Sequence, residues 1–220
     1  IEEAIDRVLA GLERRSRLIS QREKAVVAVH ECGHAMVASL VPRADQLHRV
    51  SVIPRGVAAG GTTFQLPRED NGLLMRAELL DRIAVHLGGR VAERLVFGEV
   101  STGAANDLRA ATDLAYRMVT EFGMSERLGP VSYGDADAPI FLRRTRKLDR
   151  SLSEETAREV DLEVRRILSE QEERVRGLLE PRLRRLAAIA RVLRAKETLD
   201  ARAFVQLLEA PMRQRRKTGT

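Results

Sequence analysis

Apolar residues recur at helical spacing along most of the chain. In residues 1 to 19, Ile1, Ile5, Val8, Leu9 and Leu12 fall on one stripe and predict a short amphipathic helix. From Gln21 to Leu40 the set Ala25, Val26, Val29, Met36, Val37 and Leu40 predicts a second helix, ended by Pro42. Val50 to Ile53 and Thr62 to Gln65 are β-rich pieces separated by Pro54, Gly56, Gly60 and Gly61. They predict a small hairpin or sheet near residues 47 to 66, the one sheet of the fold.

Helical periodicity returns from Leu73 to Leu87, where Gly88 and Gly89 are expected to interrupt it; Arg90 to Val96 then forms a separate short piece before Gly98. Ser101 or Thr102 is placed to cap a helix that runs to about Phe122 and stops at Gly123. Between Met124 and Arg150, clusters of Gly, Pro, Asp and Ser predict a loop. A C-terminal helical part follows. Ser153 with Thr156 opens a long helix to about Leu179, Pro181 begins another that ends near Ala195, and Thr198 or Asp200 caps a last short one. Residues 211 to 220 read as a basic, disordered tail.

Composition sharpens this picture. Of 220 residues 44% are hydrophobic, enough for a sizeable core, but aromatics make up only 3% and Trp is absent. An aliphatic core favours packed helices over a sheet sandwich, so the fold class expected is mostly α with one small sheet. The net charge of +6 comes almost wholly from arginine. Most arginines interleave with acids at helical spacing, as in Arg158, Glu159, Asp161, Glu163, Arg165 and Arg166, which describes a solvated helix face, so nucleic acid is not an expected partner. The single cysteine, Cys32, excludes an internal disulfide and a cysteine-based metal cluster and fits a reducing compartment. No apolar run approaches the roughly 20 residues that span a bilayer. Because the chain starts at Ile1 without a signal peptide, it reads as an excised fragment, soluble on its own, whose targeting parts lie elsewhere.

The chemistry concentrates at His30-Glu31-Cys32-Gly33-His34, a His-Glu-x-x-His motif inside the second predicted helix. Residues four apart on a helix differ by about 40° in direction, so both imidazoles can address one ion. Glu31 sits beside that face, where it can act as general base on a water activated by zinc. A catalytic zinc that keeps one position open needs a third protein ligand. The metzincin extension is absent, since Val37 and Leu40 stand where it requires other residues, and spacing leaves His48, His86, Glu93 and Asp107 open. Cys32 points about 200° away from His30 and is expected in the core; Gly33 makes room for another backbone element.

The segments ERRSRLISQREKAVVAVHECGHAMVASLVP, VSVIPRG and GGRVAERLVFGEVSTGAANDLRAATDLAYRMVTEFGMSERLGPVSY together resemble the peptidase domain of the FtsH family, membrane-anchored ATP-dependent zinc proteases. The resemblance covers nearly the whole chain. It implies a domain order of a linker helix or the end of an ATPase region over 1–20, a zinc metallopeptidase domain over 21–210 and the tail beyond. It also implies zinc held by His30, His34 and Asp107, the last from the STGAAND segment, with Glu31 as catalytic base and Glu93 orienting a ligand histidine. Substrate would add as a strand to the backbone of Gly60, Gly61, Thr62, Thr63 and Phe64. Three positions depart from the family pattern: Gly61 replaces a larger residue, Cys32 a commoner alanine, and Arg143 a frequent glycine. The glycine pair implies a more flexible strand with shallower pockets.

The resemblance further implies a homo-hexameric ring that receives unfolded protein from an ATPase ring. The ATPase module and transmembrane segments would precede Ile1 in the same polypeptide, since no phosphate-binding loop for ATP exists in this chain. The peptidase would face the cytoplasm or an equivalent organelle compartment. A catalytically inactive structural ring component of the same fold is the alternative reading.

Overall fold

Helix α1 (Gln21–Leu40) forms the centre of the molecule in the computed structural model, which describes residues 20–54, 61–66, 73–133 and 152–211. Ser20 caps it by accepting from the Glu23 amide at 3.1 Å. From Ala28 to Ala38 every residue is buried, so α1 is a core helix covered on all sides. The polar side chains His30, Glu31 and His34 therefore need internal partners.

α2 (Arg76–Phe97) packs along α1 and runs unbroken through Gly88 and Gly89, where an interruption is expected from sequence. The glycines serve the helix crossing instead of a break. A Cβ placed on Gly33 would lie 2.4 Å from the Gly88 carbonyl oxygen, and one on Gly88 would lie 2.9 Å from that of Gly33. The two backbones thus touch, which offsets the roughly 1 kcal/mol that a helical glycine costs relative to alanine. Gly98, in the left-handed region at φ 75°, ends α2 as expected.

A 3₁₀ turn (Thr102–Ala104) leads into α3 (Ala105–Thr120), and Ser101 caps the turn through its hydroxyl to the Gly103 amide at 3.1 Å. After an irregular stretch come α4 (Glu154–Leu179), a 3₁₀ turn (Glu180–Arg182), α5 (Leu183–Lys196) and α6 (Ala201–Glu209). The Ser153 cap and the Leu179 end match their sequence expectations, and Asp200 caps α6 through the Ala203 amide at 2.8 Å. The predicted helix within 1–19, most of the 124–150 loop, Arg143 and the tail beyond 211 lie outside the described residues.

The sheet holds three antiparallel strands in the order β2-β1-β3: β1 (Gln46–Ser51), β2 (Thr62–Leu66) and β3 (Thr198–Asp200). β1 begins four residues earlier than its apolar run suggests, and a bulge at His48 separates the Leu47 and Arg49 pairings. β3 enlarges the predicted hairpin. Glu197, at φ 64°, turns the chain out of α5, and its carbonyl accepts from the Val52 amide at 2.9 Å.

Two buried carboxylates bind the helices together. Asp81 on α2 accepts from Arg174 of α4 at 2.7 Å and from the Arg43 amide at 2.9 Å. Glu163 on α4 accepts from Ser125 at 2.9 Å and from Arg166 at 2.8 Å, and the Arg166 guanidinium holds its carboxyl below the usual range.

Two measurements check this packing. Gly33→Ala and Gly88→Ala are each expected to lower stability by about 1–3 kcal/mol through overpacking. Gly177→Ala, in α4 with open space around it, should raise stability by about 0.5–1 kcal/mol, read by chemical denaturation. The folded-state pKa of Glu163 lies below its unfolded value of about 4.3, so its contribution is present above that pH and lost as pH falls through the folded pKa. Glu163→Gln should cost about 2 kcal/mol at pH 7 and flatten the acid limb of the stability–pH curve.

Candidate metal centre

α1 presents His30 and His34 on one face, their ring centroids 4.6 Å apart and their planes at 78°. Each imidazole is fixed through its Nδ1. His34 Nδ1 lies 2.7 Å from the Val85 carbonyl oxygen, and His30 Nδ1 lies 2.6 Å from Glu93 Oε1, both from α2. A carbonyl and a carboxylate only accept, so each Nδ1 carries the proton and each Nε2 keeps its lone pair. Gly89 makes room for this arrangement, since a Cβ there would stand 2.5 Å from the His30 ring.

The two Nε2 atoms meet at 2.9 Å, and Asp107 Oδ2 lies 3.2 Å from that of His30 and 3.5 Å from that of His34. With both imidazoles neutral, three acceptors therefore converge at a half-enclosed point. Such a cluster repels itself unless a cation sits among its lone pairs. A proton is one candidate: burial opposes a charged imidazole, yet the hydrogen bonds to Asp107 and Glu93 and the charge of Glu31 push His30 up to about 10. A metal ion is the other. Ligand atoms at about 2.0–2.2 Å from a tetrahedral zinc stand about 3.4 Å apart, and the three separations here bracket that value. The donors, two neutral nitrogens and one carboxylate oxygen, are of the type zinc takes, and among the described residues they are the three that could share an ion.

Asp107 reaches the point from the first turn of α3, where the helix N-terminus favours a carboxylate. Although it is partly buried, the imidazoles hold it far below the usual carboxylate range. Glu93 ties this arm to the histidines. Its Oε2 accepts from the Ser101 amide at 2.5 Å and its Oε1 from the Ser101 hydroxyl at 3.1 Å, so one buried carboxylate orients His30 and anchors the turn before α3. Burial pushes Glu93 up, but the His30 and Ser101 hydrogen bonds outweigh it and leave the group lowered.

Glu31 sits beside the cluster. Burial raises its pKa, opposed by the charges of His34 and His30 and by a hydrogen bond from Thr63. The Thr63 hydroxyl lies 2.7 Å from Glu31 Oε2 and 3.1 Å from the Glu31 carbonyl. A cleft of about 480 Å³ opens over these groups, lined by Val27, Val85 and Asn106 and by Gly61, Thr62 and Thr63 of the β2 arm. β2 is an edge strand, and among the described residues its outer side carries no partner strand. Gly60 lies outside the described residues.

Of the four third-ligand candidates, the fold brings Asp107 to the histidines. Glu93 faces the opposite nitrogen of His30. His86 stands 3.7 Å from Asp107 Oδ1, beyond hydrogen-bond range, and His48 sits at the β1 bulge. Cys32 is fully buried in the core, its thiol pushed up by burial. The Val85 carbonyl, the bond from Ser101 to Glu93, the Gly89 gap and the Thr63 hydroxyl were not singled out from sequence. Alternation along β2 places Thr63 on the same side as Gly61; nothing local marks the other three.

A buried His-Glu-x-x-His helix whose imidazoles meet a carboxylate from a second helix presents the donor set of a zinc-peptidase class of centre. The family model for Peptidase family M41 matches residues 17–207. The chain is 49% identical over 211 residues to "ATP-dependent zinc metalloprotease FtsH" of Pseudothermotoga lettingae, covering 96% of this chain and 34% of that protein. Proteins of the same name from Ralstonia pickettii and Kosmotoga olearia are each 48% identical, over 95% and 94% of this chain and 30% and 32% of their own length. The chain therefore belongs to peptidase family M41, and it spans about a third of the length of these curated relatives.

If Glu93 sets the His30 tautomer, Glu93→Gln should weaken zinc binding about 10- to 100-fold in competition with a chromophoric chelator. Glu99→Gln, at an exposed carboxylate, should leave it unchanged.

Proposed function

We propose that this chain is a zinc-dependent endopeptidase domain, spanning residues 21–210, in which His30, His34 and Asp107 hold the metal and Glu31 is the base. The observation that carries the reading is the convergence of the Nε2 atoms of His30 and His34 and the Asp107 carboxylate beside a buried glutamate. Zinc bound there would supply Lewis acidity, polarising a peptide carbonyl and lowering the pKa of a water toward about 7.

The chain's own residues do the rest. Burial keeps the Glu31 carboxylate basic enough to take a proton from water at neutral pH, and its place one residue from His30 keeps it beside the reacting point. The same carboxyl then returns the proton to the departing amine. Glu93 and the Val85 carbonyl hold the imidazoles in the tautomer that leaves Nε2 free. An extended substrate would add to the outer edge of β2 along Thr62–Phe64, held by main-chain hydrogen bonds that read side chains weakly. Gly61 lets the strand lie this close: a Cβ there would stand 2.8 Å from Glu31 Cγ. Proximity to the base is a physical use of that glycine.

The relatives are named as ATP-dependent, and the family resemblance extends the proposal to the whole polypeptide: an ATP-driven module in the same chain delivers unfolded protein to this domain. A homo-hexameric ring and membrane-anchored placement facing the cytoplasm complete it. No helix among the described residues is long and apolar enough to cross a membrane, so an anchor would come from elsewhere in the polypeptide. The complete ligand and base set favours an active peptidase over an inactive ring component.

The test is zinc content together with cleavage of an unstructured substrate such as casein. The parent should bind one zinc per chain and cleave, Glu31→Gln should keep zinc and lose cleavage by about 100-fold or more, and Asp107→Ala should lose zinc. Full zinc and activity in Asp107→Ala would place the third ligand elsewhere.

A further inference from the structure

The Thr63 hydroxyl has no assigned role, although its strand was read as a substrate platform from backbone alone. Its Oγ1 lies 2.7 Å from Glu31 Oε2 and 3.1 Å from the Glu31 carbonyl oxygen. Both neighbours only accept, so the hydroxyl proton is shared between them. Among the described residues Thr63 is the one side chain bonded to the Glu31 carboxylate. Two residues earlier, Gly61 brings the same strand against Glu31 Cγ and against Val27. β2 thus grips Glu31 at two points, while its other side is the sheet edge.

We infer that Thr63 is a positioning residue for Glu31, holding Oε2 so that the carboxylate meets water and substrate at a fixed angle. The inference rests on the peptidase reading above. Glu31 is buried, and a glutamate side chain has three torsions that α1 alone does not fix. A hydrogen bond from a separate element removes that freedom, and misplacement of a reacting group by about 1 Å costs on the order of 100-fold in rate. The arrangement also links recognition to chemistry. A substrate strand that pairs with the backbone of β2 orders the segment whose side chain aims the base, so an extended peptide seated on this edge is cut more efficiently than its binding alone would give.

Thr63→Val keeps the shape and removes the hydroxyl, whereas Thr63→Ser keeps the hydroxyl. With the zinc-loaded chain and a fluorogenic peptide, Thr63→Val should lower kcat about 10- to 100-fold with KM within about twofold and zinc content unchanged. Thr63→Ser should recover to within about threefold of the parent on the same reasoning. A second readout needs neither metal nor turnover. In metal-free protein, the melting shifts of Thr63→Val and Glu31→Ala should be non-additive, because either change removes the same bond. Parent-like kcat in Thr63→Val, an equal loss in Thr63→Ser, or a loss that follows zinc content would overturn the inference, as would additive melting shifts. If the parent itself binds no zinc and cleaves nothing, the peptidase reading fails, and the melting cycle alone decides whether Thr63 holds Glu31.

Discussion

Backbone contact between α1 and α2 at Gly33 and Gly88 sets how the two histidines meet their partners in the cleft. With the helices this close, the Val85 carbonyl reaches one histidine and Glu93 reaches the other, both from α2. A side chain at either glycine would press on a carbonyl less than 3 Å away, and the α2 partners would move off the α1 imidazoles. Gly89 extends the same logic by one residue, since its missing Cβ is the space that the His30 ring fills. Three glycines on two helices thus act as one geometric device, which seats the imidazoles against their α2 partners while the cleft stays open on the side of Glu31 and Asp107.

From that contact the electrostatics follow. With each neutral imidazole holding its proton on Nδ1, two lone pairs and a carboxylate face one another. The fold therefore carries a local instability that a cation relieves, and it carries it in a cleft open to an edge strand. Glu93 couples this point to the Ser101 turn, and through it to the start of α3, where Asp107 stands. A single buried carboxylate thereby fixes the angle of His30 and the approach of Asp107.

The His30, Glu31 and His34 grouping was legible because the helical period places all three within one turn and a half, a purely local property. Asp107 was not legible from spacing, which left His48, His86 and Glu93 equally open; family resemblance named it, and the fold brings it within 3.5 Å of both histidines. The helix through Gly88 and Gly89 was misread because glycine's intrinsic cost in a helix is visible in sequence, while the neighbouring backbone that makes glycine necessary is not. β3 was missed for a related reason: Thr-Leu-Asp is too short to show a period, and it becomes a strand only because Glu197 turns it against β1. The partners of the imidazoles and of Glu31 come from residues 32 to 77 positions away, beyond the reach of any local rule.

The central claim is that His30, His34 and Asp107 enclose one ion. Anomalous diffraction at the zinc edge, on crystals of zinc-loaded protein, tests it most directly. The account predicts one dominant peak about 2.0–2.2 Å from His30 Nε2, His34 Nε2 and Asp107 Oδ2. A peak bonded to a different carboxylate or imidazole, or no peak between the two histidines, would contradict it.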